Sequence, residues 1–218
     1  PAVVLLRQPS PRMSTHAAGR PSGRLNVRLL ALVLAFFFSY VAAEVTMGGW
    51  IFTYAVAMGQ TDQTTAAYLT SVFWGSLTVG RLLSVPLAGR WSPATVLQVD
   101  LIGCLASVAL ILLLPRSAAA IWIGTCGTGL FMASMFPTMI SYAERRMALS
   151  GQITGLFFVA SAAGSTTVPW LVGQLFEVIG PRVTIVMALA AVLVAALAFA
   201  GVRLTGAPAH AMQATQGE

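Results

Sequence analysis

The sequence predicts an all-α membrane protein of six transmembrane helices, arranged as two inverted three-helix repeats. Three observations predict it. The chain of 218 residues is 57% hydrophobic and only 8% charged, whereas soluble globular domains carry charge on about a quarter of their residues. Six apolar segments, at residues 29–59, 66–89, 95–114, 118–142, 152–176 and 183–204, are each long enough to cross a bilayer as a helix. Finally, Gly75-Ser76-Leu77-Thr78-Val79 recurs 89 residues later as Gly164-Ser165-Thr166-Thr167-Val168. The same offset carries Thr95-Val96-Leu97 onto Thr184-Ile185-Val186, and the first segment onto the fourth. Three crossings per unit is an odd number, so the second unit is inverted relative to the first. Nested inverted triplets of this kind mark secondary transporters.

Residues 1–28 are rich in Pro, Ser, Gly and Arg and contain no acid. They are expected to form a disordered basic cytoplasmic linker. A secretory signal peptide is excluded, because its apolar core should follow the basic region. The opening Pro1-Ala2-Val3-Val4-Leu5-Leu6 resembles the end of a preceding membrane helix, and the absence of an initiator Met fits either a fragment or removal of Met before Pro1 by processing. Residues 205–218 are expected to form a cytoplasmic tail.

The first segment, 29–59, would run ~46 Å as a helix, longer than the ~30 Å hydrocarbon core. It has residues to spare for tilt or for a break, with Gly48-Gly49 the natural breaking point. It carries one carboxylate, Glu44, near its middle. An acid at that depth costs ~2.5–3.5 kcal/mol on insertion scales, so it is read as functional and is expected to face a partner or a wet cavity. Tyr40, Glu44, Met47 and Ile51 share one helical face, with Trp50 and Tyr54 beside it.

The second segment ends in a tight turn, Gly89-Arg90-Trp91-Ser92-Pro93, and holds Arg81 about two and a half turns deeper. Arg81 either snorkels to the surface or serves as a gating pair. Asp100, one turn into the third segment, is expected to pair with Arg81 or Arg90. Pro137 in the fourth segment and Pro169 in the fifth interrupt the helix ladder and mark bends. Gly151, Gly155, Ala160, Ala162, Ala163, Gly164 and Ser165 should let the fifth segment approach its neighbours closely.

All twelve basic side chains are arginines. With the termini inside, Arg7, Arg12, Arg20, Arg24, Arg28, Arg90, Arg145, Arg146 and Arg203 fall on the inner side, and only Arg116 and Arg182 on the outer. That asymmetry predicts cytoplasmic termini. Arginines placed this way are topology determinants, so the basic pI does not point to nucleic acid. The two histidines, His16 and His210, lie in the tails, and Cys104 and Cys126 lie in apolar stretches. No metal site and no cofactor are expected.

Several motifs carry a family resemblance. Gly80-Arg81-Leu82-Leu83-Ser84-Val85-Pro86-Leu87-Ala88-Gly89-Arg90 resembles the cytoplasmic loop motif of the major facilitator superfamily, in the degenerate form that follows its eighth helix. The family pattern has Leu-Ala-Asp-Arg; here Gly89 replaces the aspartate, which leaves Arg90 as a topology anchor rather than a charge relay. Phe136-Pro137-Thr138-Met139-Ile140-Ser141-Tyr142-Ala143-Glu144, Ser150-Gly151-Gln152-Ile153-Thr154-Gly155 and Pro169-Trp170-Leu171-Val172-Gly173-Gln174 resemble helices ten and eleven of the fucose permease and sodium-dependent glucose transporter-like branch. Ala43-Glu44-Val45 with Gly48-Gly49-Trp50 is similar to its seventh helix. The resemblance implies the second half of a twelve-helix transporter that works by alternating access, completed by an N-terminal six-helix half.

The expected function is therefore secondary active transport of a small polar solute, a hexose or similar sugar, coupled to protons or sodium. Glu44 would contact a substrate hydroxyl or bind the coupling ion. Trp50 and Tyr54 would stack on the substrate, with Thr78, Gln152 and Thr154 as further polar contacts. Arg81, Arg90, Pro137 and Pro169 would gate or bend. The plasma membrane is the expected location. An enzyme is disfavoured: an intramembrane protease needs a Ser-His pair or two aspartates at depth, and Asp100 is the only aspartate within a segment. A channel is disfavoured for lack of an arginine-periodic helix or a glycine-rich filter loop. The alternatives are a transporter-derived receptor or scaffold, or a non-functional fragment.

Overall fold

A computed structural model describes residues 26–59 and 61–205. The expected linker at 1–28 lies outside the described residues up to position 25, and the expected tail at 205–218 lies outside them from position 206. The described residues form seven helices and no strand: α1 (Val27–Ala57), α2 (Gln63–Ala88), α3 (Pro93–Leu113), α4 (Ala118–Met132), α5 (Met135–Glu144), α6 (Gly151–Ile179) and α7 (Val183–Leu204). Helices α4 and α5 are two pieces of one crossing, so the seven helices make six crossings. Five of the six are long and apolar enough to cross a membrane by length and composition. Helix α2 is the exception. Its Arg81, together with Gln63, Thr64, Thr65, Thr70, Ser71, Ser76, Thr78 and Ser84, dilutes the apolar character of this 26-residue helix.

Four helices begin a residue or more before the apolar runs do, because the turn that opens a helix is polar. Asn26 accepts from the Leu29 amide at 3.1 Å, and Asp62 accepts from the Thr64 and Thr65 amides. Ser92 caps Thr95 with Pro93 as the first helical residue, and Ser150 caps Ile153. Each cap satisfies an amide that the helix leaves without an internal partner. Hydropathy alone does not register these residues.

The breaks differ from expectation. Helix α1 is continuous through Gly48-Gly49. Gly48 serves close packing instead: a Cβ there would sit 2.6 Å from the Trp74 indole, so α2 lies directly on that turn. The fourth crossing is interrupted at Ala133-Ser134, one turn before Pro137. Pro137 lacks the amide that would bond the carbonyl of Ala133, and its ring crowds that carbonyl. Helix α6 runs through Pro169 without interruption.

The core is centred on α1, which buries Phe36, Phe37, Tyr40, Met47, Ile51 and Tyr54. Helix α1 packs most extensively on α6 and α7, and α4 packs most extensively on α3 and α2. The first crossing of each triplet is thus clasped by the second and third crossings of the other, as two interlocked inverted repeats require. Lipid supplies little hydrophobic drive between helices, so close steric fit has to hold such a bundle. Gly164 provides it between α1 and α6, where a Cβ would collide with the Phe38 carbonyl. Of the other small residues expected to serve α6, Gly151 and Gly155 have nothing near the position a Cβ would take, and Ala162 and Ala163 are exposed.

One end of the bundle gathers the basic connections. Gly201 packs against Leu32, the Arg146 guanidinium donates to the Val202 carbonyl at 2.9 Å, and Trp91 and Arg145 line one cavity. The start of α1, the α2–α3 turn and the ends of α5 and α7 therefore lie together and form a basic end.

Candidate functional site

Helix α1 places its acid by simple periodicity. Tyr40 and Glu44 are one turn apart, and the Tyr40 hydroxyl donates to the Glu44 carboxylate. Tyr40 is buried and stacks on Phe36 with ring centroids 6.1 Å apart, which fixes its ring. Glu44 is only half-buried. The guanidinium of Arg81, on α2, lies within electrostatic range of both. Tyr40 and Glu44 thus form a polar pair mid-way along α1: a carboxylate held by one internal donor and only half-buried. Such a group can accept a hydroxyl or a cation on its free side.

The other predicted site residues do not all converge on it. Trp50 lies against Phe176 at 5.5 Å and over Gly173, so it is built into the α1–α6 contact. Tyr54 is 0% exposed, enclosed by core side chains, and its hydroxyl makes no hydrogen bond among the described residues. Thr78 is exposed on α2, and its hydroxyl donates to the Trp74 carbonyl at 2.9 Å. Gly164 meets Phe38 and Gly173 meets Trp50, so α6 runs alongside α1 in the same direction. Gln152 and Thr154, in the first turn of α6, then lie at least ~15 Å below the level of Gly164, at the basic end. Arg90 is exposed in the α2–α3 turn, its amide bonded to the Leu87 carbonyl. Pro169 is half-buried within α6, and Pro137 is exposed beside the break it causes.

A second buried acid was assigned the wrong partner by sequence reasoning. Asp100 is 8% exposed and accepts from the Ser134 hydroxyl, rather than pairing with Arg81 or Arg90. Ser134 is one of the two residues at the helix break, so α3 grips the fourth crossing where its ladder is interrupted. An acid one turn inside a crossing was visible in the sequence. Its partner, 34 residues away, was not.

Two adjoining cavities open at the basic end. The larger, about 560 Å³, lies between α2, α3 and α5 and includes Arg81, Trp91, Thr138, Ser141 and Arg145 in its wall. The smaller, about 190 Å³, reaches Asp100 and Ser134.

No protein-family model matches the chain. Among curated proteins, sodium-dependent glucose transporter 1A of Mus musculus is 36% identical over 169 residues, covering 78% of this chain and 39% of that protein. Sodium-dependent glucose transporter 1 of Xenopus laevis is 34% identical over 176 residues, covering 79% of this chain and 36% of that one. Major facilitator superfamily domain-containing protein 4A of Danio rerio is 32% identical over 158 residues, covering 72% and 30%. The chain therefore spans well under half the length of these relatives. Among solved structures, a crystal structure of the major facilitator superfamily transporter FucP in its outward conformation superposes with a TM-score of 0.71 at 18% identity. The match takes in 94% of this chain and 51% of that one.

Proposed function

For a chain that belongs to the major facilitator superfamily and has the fold of half of one of its transporters, we propose membrane transport of a sugar-like solute by alternating access, with Glu44 as the working acid. The relatives are transporters, so the chain is not an enzyme. The observation that carries the reading is the Tyr40–Glu44 pair, mid-way along the central helix, half-open and within electrostatic range of Arg81. A carboxylate at that depth is costly unless it works. Two of the relatives are named sodium-dependent glucose transporters, which supports a hexose-like substrate and a coupling cation, sodium or a proton.

In this reading Glu44 accepts a substrate hydroxyl or binds the coupling ion on its free side, while Tyr40 holds the carboxylate in place. A second six-helix unit faces this one and completes the cavity. The plasma membrane, with both termini cytoplasmic, fits the basic end facing inward. In this reading Trp50 fixes α1 against α6 and Tyr54 belongs to the core, and neither stacks on the solute.

Uptake of radiolabelled glucose into proteoliposomes tests this, using the full-length transporter and its Glu44→Gln variant. The expected result is at least a tenfold fall in uptake, with loss of the sodium or pH dependence. Unchanged uptake and unchanged ion dependence would remove Glu44 from transport.

A further inference from the structure

The larger cavity at the basic end has a feature that the transport reading does not use. Its wall holds two guanidinium groups, Arg81 from α2 and Arg145 from just beyond α5. They are joined by the hydroxyl-bearing Thr138 and Ser141 of α5. Pro93, the first residue of α3, also lines it, so the positive end of that helix faces the same space. No carboxylate lines it. Asp100 belongs to the adjoining smaller cavity and is engaged by Ser134. Glu44 acts on Arg81 electrostatically but is held by Tyr40 and is not part of the wall. Glu144, next to Arg145, is exposed outside it. Ser84 also lines it, its hydroxyl donating to the Arg81 carbonyl at 2.7 Å, and the rest of the lining is chiefly apolar, with Val85, Trp91, Val96 and Pro137.

Two arginines and two hydroxyls on converging helices form a set of donors with a net positive field. Planar guanidinium groups match phosphate oxygens in geometry as well as charge. Basic pockets between transmembrane helices are a recurrent means of holding phosphorylated headgroups. We propose that this cavity is a binding site for an anionic phosphate group. Arg81 and Arg145 contact its oxygens, Thr138 and Ser141 donate to it, and the apolar wall takes the organic part of the ester. The phosphate comes either from an anionic lipid headgroup or from a soluble phosphate ester. The cavity shares Arg81 with the surroundings of Glu44, but Arg145, Thr138 and Ser141 have no part in the transport reading, and the proposal does not rest on that reading.

The test uses the purified full-length protein in neutral detergent, followed by thermal unfolding. Dioleoylphosphatidylglycerol, dioleoylphosphatidylcholine and glycerol 3-phosphate are titrated separately. The expected result is saturable stabilisation by phosphatidylglycerol or by glycerol 3-phosphate that exceeds the response to phosphatidylcholine. A response to the lipid alone identifies a headgroup, and a response to glycerol 3-phosphate identifies a soluble ester. Arg81→Gln and Arg145→Gln should each weaken the response about tenfold, in line with loss of a charge-assisted hydrogen bond. Arg116→Gln, between α3 and α4 at the opposite end, should leave it unchanged. Should a glutamine variant fail to fold, Ser141→Ala and Thr138→Val remove only hydroxyls and should weaken the response several-fold. No stabilisation beyond that of phosphatidylcholine, or equal responses in the wild type and all cavity variants, overturns the proposal.

Discussion

The middle of α1 and the α4–α5 break occupy the same place in the two repeats, because Glu44 and Ala133 stand at the repeat's offset of 89 residues. They are built in opposite ways. In the first repeat the helix is unbroken, and its acid is satisfied by its own tyrosine one turn away. In the second the helix is interrupted, and the acid arrives from the other triplet, Asp100 of α3 onto Ser134. The inverted scaffold is thus shared while the chemistry is not. A locally satisfied, half-open carboxylate can exchange partners without moving a helix. One locked across two helices holds the bundle together. This contrast supports the proposed working role of Glu44 and makes Asp100 a tie between α3 and the fourth crossing.

The comparison can be sharpened most strongly at a glycine pair related by the same offset. A Cβ on Gly164 would meet the backbone carbonyl of Phe38, which cannot turn aside, whereas nothing lies near the same position on Gly75. Gly164→Ala should therefore cost about 3 kcal/mol through overpacking. Gly75→Ala should be neutral, or gain up to ~1 kcal/mol in helix propensity. Reversible unfolding in mixed micelles checks the ordering. Equal effects at the two sites would mean that the repeats pack alike.

The two acids offer the next test. Ser134→Ala removes the donor to a buried carboxylate and should destabilise by about 1–3 kcal/mol. A double-mutant cycle with Asp100→Asn should show coupling between the two residues. Tyr40→Phe should cost less than about 1 kcal/mol, since Glu44 is half-open. Its effect should appear instead as a severalfold loss of uptake in the full-length transporter. A Tyr40→Phe variant that unfolds as readily as Ser134→Ala, yet transports normally, would erase the distinction drawn here.

The smallest effect belongs to the caps, which open crossings in both repeats. Hydrogen bonds from Thr65, and from the Thr64 amide, hold the Asp62 carboxyl below the usual carboxylate range. A depressed value stabilises the folded state above the unfolded pKa, and that contribution fades as pH falls through the folded value. Asp62 is fully exposed, so the consequence is local. Hydrogen exchange at Thr64, Thr65 and Ala66 should speed up in Asp62→Ala at neutral pH, with little change in global stability. The same change at the Ser92 cap would show that cap loss acts alike at the starts of α2 and α3.

Much of the fold was legible. Each of the six apolar runs is helical, five of them long and apolar enough to cross a membrane, and Gly75–Val79 recurs at Gly164–Val168 in the second crossing of each triplet. Glu44 was equally plain, since one acid in a long apolar run has few explanations. Less legible was what each polar or small residue touches. Gly48-Gly49 reads as a weak point because glycine lowers helix propensity, but the indole of Trp74 fills the space and the helix holds. Trp50 and Tyr54 lie beside the face of Glu44 in projection, yet Trp50 packs on Phe176 and the core encloses Tyr54.

By itself, the sequence determined which segments leave water, in what order, and that the latter three repeat the former. Hydropathy and helical period are local quantities, summed over neighbours in the chain. Only the tertiary structure decided that Asp100 grips Ser134, that the fourth crossing yields a turn before its proline, and that two arginines converge on one cavity. Those outcomes depend on contacts between residues tens of positions apart, and no local pattern encodes which distant side chain will be there.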